Sequence, residues 1–130
     1  MIFNMDDPLM PNSLLILKEN FKKIGKNVLI SDKAVFYNPG NISIGDNSRI
    51  DDFSILSAGT EGIEIGNYVH IACYVALIGK GKITLKDFVG ISSRSVIYSS
   101  NDDYSGEFLT GPCVPSDYTN ITYAPVIIEK

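Results

Sequence analysis

Aliphatic residues recur in this chain on a ladder with a period near twenty. Ile24, Ile44, Ile65 and Leu85 stand 20, 21 and 20 residues apart. Their surroundings repeat with them. Four positions on stand Val28, Ser48, Val69 and Val89, and six on stand Ile30, Ile50, Ile71 and Ile91. Ten on stand Ala34, Ser54, Val75 and Ser95, and twelve on stand Phe36, Leu56, Leu77 and Ile97. Four consecutive copies at one period predict a solenoid, in which each copy is a coil that buries its apolar side only against its neighbours.

The finer grain gives the shape of a coil. Apolar or small residues come in pairs two apart, such as Ile42 with Ile44, Ser48 with Ile50 and Ser54 with Leu56. Two apart is the strand period, so both members of a pair face the same way. Each pair marks a short strand, and the next begins after a corner such as Asp46-Asn47 or Asp52-Phe53. Asn, Asp and Gly tolerate the tight backbone of such corners. Three strands and three corners make a triangular coil, with Ile44 above Ile24 and below Ile65.

This pattern resembles the hexapeptide-repeat family. Ile44-Gly45-Asp46-Asn47-Ser48-Arg49 and Ile65-Gly66-Asn67-Tyr68-Val69-His70 fit its motif of an aliphatic residue followed by small ones. The resemblance covers residues 24–97. It implies an all-β solenoid, a left-handed parallel β-helix of about four coils, an exception to the usual right-handed crossover. Handedness rests on the resemblance, not on the period.

Around the coils the organisation is simpler. Residues 1–23 form an N-terminal segment, irregular to residue 11, then a short helix through about Lys23 that caps the first coil. Asn12 or Ser13 is its expected cap, with Leu14, Leu17 and Phe21 on one face. Residues 24–97 are the coils, and residues 98–125 are one long loop. Residues 126–130 begin a further, incomplete coil, since Val126-Ile127-Ile128 matches Ile42-Ser43-Ile44 in register. The sequence therefore reads as truncated. An unfinished last coil is expected to expose the ends of the aliphatic stripes at Ile91, Ile97 and Ile128.

Composition narrows the partners. The length of 130 residues suits one domain. A net charge of −4 without a Lys/Arg cluster argues against nucleic acid. The longest aliphatic run, Leu14 to Leu17, is far too short for a membrane span, and the N-terminus lacks a basic signal region. Cys73 and Cys113 do not make a disulfide framework and read as free thiols of a cytoplasmic protein.

Most enzymes of the family that the motif resembles move an acyl group from a coenzyme A thioester to a hydroxyl or amine. Ser99-Ser100-Asn101-Asp102-Asp103-Tyr104-Ser105-Gly106, followed by Pro112 and Pro115, is similar to sugar acetyltransferases of surface-polysaccharide pathways. The resemblance implies acetyl-CoA as donor, a sugar or nucleotide sugar as acceptor, and a homotrimer with clefts between subunits.

Such chemistry needs a base for the acceptor's proton and donors for the oxyanion. His70 is the one histidine. It lies between inward-facing Val69 and Ile71, so alternation points it outward. It reads either as the base or as an ordinary exposed histidine. Many sugar acetyltransferases of the family carry a catalytic histidine in the loop after the strand equivalent to Ser95–Ile97, and this loop has none. The base is then His70, a carboxylate, or a group beyond the chain. Asn101, Asp102, Asp103 and Tyr104 are the expected acceptor-binding residues of the loop, although the two carboxylates read equally as a solvated pair. Arg94 is placed either to meet a phosphate or as a surface charge. A zinc enzyme on this helix needs several histidines, which the chain lacks. A second reading is a catalytically silent β-solenoid used as a scaffold or assembly module. On the truncated reading, the isolated chain lacks the coenzyme A side of its cleft and is expected not to turn over.

Overall fold

The computed structural model describes residues 1–130. Three sheets form the sides of a prism. The first face holds Leu29–Ser31, Arg49–Ile50, His70–Ile71 and Gly90–Ile91. The second holds Val35–Tyr37, Ile55–Ala58, Ala76–Gly79 and Val96–Tyr98. The third holds Lys23–Ile24, Ile42–Ile44, Ile63–Ile65, Ile83–Leu85 and Val126–Ile128. Strands within these coils pair in parallel, and the chain is a left-handed parallel β-helix of about four turns.

Register follows the ladder. Ile44 lies beside Ile65, Ile50 beside Ile71 and Leu56 beside Leu77. These six side chains are at most 2% exposed. Each fully buried aliphatic side chain stabilises the fold by about 1.5–3 kcal/mol, which is why the period survives so clearly. The small positions have their own logic. Ser48 Oγ donates to the Gly66 carbonyl at 2.9 Å and Ser54 Oγ to the Ala72 carbonyl at 2.9 Å. A buried hydroxyl must be paired, and here each one ties a coil to the corner of the next.

The corners carry left-handed backbone. Between the third and first faces stand Asn27, Asn47, Tyr68 and Phe88, with φ of 54–65°. Between the first and second stand Phe53, Tyr74 and Arg94, with φ of 60–64°. Asparagine adopts this region readily, but larger side chains do so at a cost of about 1–2 kcal/mol each. Stacking offsets part of that cost: Tyr68 lies flat on Phe88 at 5.1 Å, and Phe53 on Tyr74 at 5.1 Å.

The N-terminal segment differs from expectation. Residues Ile2–Asn4 form a strand, antiparallel to Leu29–Ser31, and Met5 and Met10 are buried. Helix α1 spans Asn12–Asn20 and stops before Lys23, which already belongs to the third face. Neither Asn12 nor Ser13 caps it; Pro11 holds that position, without a side-chain bond. A proline there suits helix entry because its missing N–H would be unpaired anyway. Leu14 and Phe21 are buried and Leu17 packs on the core, so this segment closes the first coil. At the other end Ile91 is only 8% exposed, because Ile97 and Ile128 pack against the core beside it. That end is less bare than the unfinished coil suggested.

Beyond Tyr98 the chain leaves the prism and returns through a short antiparallel ribbon of Ser100–Asn101 with Thr122–Tyr123. The ribbon sits tightly on the coil: a Cβ on Gly81 would lie 2.4 Å from the Ala124 carbonyl oxygen. Ser99 Oγ, buried, donates to the Gly81 carbonyl at 2.7 Å. Val126 and Ile128 then pair with Ile83 and Leu85.

Candidate functional site

Two places gather chemistry. The first is the outer side of the first face. His70 follows the inward Val69 and precedes the inward Ile71, so its ring points out and is 54% exposed. Parallel register sets Arg49 directly beside it in the coil below. Asp51, two residues past Arg49, reaches back to both. Its Oδ2 lies 2.8 Å from His70 Nε2, and Arg49 Nε donates to its Oδ1 at 2.5 Å. The Asp51 side chain is only 16% exposed. Burial opposes its ionisation, but the hydrogen bonds from Arg49 and His70 outweigh it and hold the carboxyl below its ordinary value. With Nε2 bonded to the carboxylate, Nδ1 is the nitrogen of His70 that remains for other chemistry. The sequence reading missed Asp51 because the residue directly after an inward Ile50 is an unremarkable corner position. Stacking the copies at a spacing of 21, which sets Arg49 beside His70, would have revealed it.

The second place is a cleft of about 1140 Å³ between the long loop and the last coil. Tyr98, Asn101, Asp102, Tyr104, Thr122 and Tyr123 line it. Rings, hydroxyls, an amide and one carboxylate are the groups that hold a sugar, and Asp102 is the one charged residue of the lining. Asp103 turns away to serve the loop. Its Oδ1 accepts from the Ser105 backbone N–H at 2.8 Å and its Oδ2 from Asn120 Nδ2 at 2.8 Å. Bonds from the Ser105 hydroxyl and backbone, then from Asn120, hold its carboxyl below the usual range.

Arg94 belongs to neither place. It sits at the corner after the first face, its guanidinium 5.9 Å from the centre of the Tyr74 ring. Lys33 lies similarly over Phe53, at 5.8 Å, and neither cation pairs with a carboxylate. The structure thus brings Asn101, Asp102 and Tyr104 together and sets His70, Arg94 and Asp103 apart from them. Cys73 and Cys113 are free thiols. No group of three or more His, Cys, Asp or Glu side chains is gathered to hold a metal ion. No helix is long and apolar enough to cross a membrane.

Comparison with known proteins adds what geometry alone leaves open. The chain is 58% identical over 115 residues to dTDP-4-amino-4,6-dideoxy-D-glucose acyltransferase of Escherichia coli, across 88% of this chain and 60% of that protein. It superposes on AntD, an N-acyltransferase from Bacillus cereus, with a TM-score of 0.80 and 50% identity. Over most of its length the chain is thus similar to acyltransferases of nucleotide-linked amino sugars. No family model matches the chain. The AntD structure holds dTDP and 3-hydroxybutyryl-CoA, and 91% of this chain aligns with 61% of it. A variant of AntD, 49% identical over 91% of this chain and 62% of its own length, holds dTDP-4-amino-4,6-dideoxyglucose and coenzyme A, again with a TM-score of 0.80. The chain therefore spans about three fifths of the length of the relatives it matches.

Proposed function

We propose that the chain forms coils and the acceptor cleft of an acyltransferase that moves an acyl group from acyl-CoA to the amine of a dTDP-linked amino sugar. The observation that carries this reading is the 58% identity with the E. coli sugar acyltransferase over 88% of the chain. The cleft at the long loop supports it. Its hydroxyls, tyrosines and single carboxylate suit the amino-sugar end of such an acceptor. The unpaired Lys33 and Arg94 suit phosphates of either substrate.

In this reading His70 is the base. Asp51, pinned by Arg49, fixes the ring and selects the nitrogen that meets the acceptor, as an orienting carboxylate does. As the sugar nitrogen bonds to the acyl carbon and the C–S bond breaks, His70 Nδ1 takes the proton that nitrogen sheds. The proton returns to the departing thiolate. Asp51 stays ionised throughout because its carboxyl titrates low.

His70 and the loop cleft occupy different sides of one chain, so a homotrimer completes the site by setting one subunit's loop beside its neighbour's first face. The outer side of the second face supports this assembly. Val35, Ile55, Ala76 and Val96 stand in register there as an apolar row across all four coils. Cytosolic action in surface-polysaccharide synthesis follows from the same resemblance.

The test is an assay of the chain with acyl-CoA and dTDP-4-amino-4,6-dideoxyglucose, reading the N-acyl product by mass and the binding of each substrate by calorimetry. Product that needs both substrates, or saturable binding of the dTDP sugar, supports the proposal. A chain that makes no product and binds neither substrate refutes it.

A further inference from the structure

Gly90 is the position in the first face with no local reason to be glycine. It pairs with His70 one coil further on, and the same outward register holds Leu29 and Arg49 in the earlier coils. Its φ is not left-handed, so no conformational need calls for glycine. A Cβ built there would meet nothing within 4 Å, so no packing need calls for it either. Glycine inside a strand loses packing and adds unfolded-state freedom, and its usual meaning there is a place where another group must come close.

The neighbours show which group is reached. Below His70, Asp51 is bonded to Nε2 and is itself held by Arg49. On one flank rise the stacked rings of Tyr68 and Phe88, and on the other those of Phe53 and Tyr74. Above lies Gly90, with no side chain. One coil of clearance, about 4.8 Å, is the height of a single flat ring or of an extended chain of atoms. We infer that Gly90 is an access residue. It keeps open the side of His70 by which a reacting group reaches the imidazole, and a larger side chain there would close it.

This rests on the reading of His70 as the base, but its test does not need turnover. The chain has one histidine, so carbethoxylation by diethyl pyrocarbonate, followed at 240 nm, reports on His70 alone. The parent, Gly90→Ala, Gly90→Leu and, as a control on the outer side of the third face, Ser43→Leu are compared under pseudo-first-order conditions. Gly90→Leu is expected to slow the reaction at least five-fold with an unchanged or higher melting temperature. Gly90→Ala is expected to stay within about two-fold of the parent and Ser43→Leu to match it. Gly90→Leu reacting at the parent rate would overturn the inference. The base role is tested separately by turnover of His70→Ala, so each reading fails on its own measurement.

Discussion

At the scale of single residues, the Asp51 carboxylate decides what His70 is able to do. A histidine half out in water is ordinary, but one bonded at 2.8 Å to a largely covered carboxylate has a fixed ring and a chosen nitrogen. On the proposed function His70→Ala should lower kcat by about 10²–10⁴-fold, with little change in melting temperature because the ring is half exposed and lies outside the core. Steady-state kinetics check this, and activity within a few-fold of the parent would remove His70 from the mechanism. Asp51→Asn should lower kcat as well, and it carries a pH signature. The Asp51 carboxyl is depressed in the fold, so the stability it adds is present above its ordinary value of 3.8 and is lost as pH falls through the folded value. Asp51→Asn should therefore be less stable than the parent at pH 7, by about 1 kcal/mol for such a partly exposed pair. The gap should narrow as pH falls below about 4. Melting curves across that range test it, and a gap that stays constant would show that the carboxylate's charge plays no part.

At the scale of the coil, corners rather than strands hold the local specificity. Asn47 takes φ of 58° and its side-chain oxygen accepts from Asn27 Nδ2 at 3.0 Å. Asn47→Ala removes both the tolerance for left-handed backbone and the bond, and should cost about 1–2 kcal/mol. Urea denaturation measures this, and a loss below a few tenths would mean that the coil imposes the corner whatever residue fills it. The same contrast explains what the sequence revealed. The coils were legible because each inward position is set by burial, and burial repeats. Tyr68, Phe53 and Arg94 at left-handed corners were not, because their conformation is imposed by the coils above and below. The strand Ile2–Asn4 has three residues and no period, so only its pairing with Leu29–Ser31 defines it. Asp51 beside His70 was hidden for a related reason, since it depends on register between coils. In the loop, Asn101, Asp102 and Tyr104 drew notice as polar and aromatic residues, but which of them share a cleft depends on the ribbon from Thr122 to Tyr123, which no local pattern marked.

At the scale of the whole molecule, the three outer sides of the prism differ in a way that points to its assembly. The third face is outwardly polar over its first four strands, with Lys23, Ser43, Glu64 and Thr84 in register and Lys82 Nζ 2.8 Å from Glu64, and only Ile127 of the fifth is apolar and exposed. The second face instead turns Val35, Ile55 and Val96 to water, each at least 38% exposed. In-register apolar rows of this kind are what an oligomer covers. A single charge should then separate folding from assembly. Ile55 points outward, so Ile55→Glu costs the isolated coil little, within about 0.5 kcal/mol for a surface site. In a threefold assembly it would set three carboxylates against an apolar row. Sedimentation should give a trimer for the parent and a folded monomer for Ile55→Glu, with unchanged circular dichroism. A monomeric parent at high concentration, or an Ile55→Glu chain that still sediments as a trimer, would mean that the second face is not where copies meet. The shared cleft would then have to be built from another side of the prism.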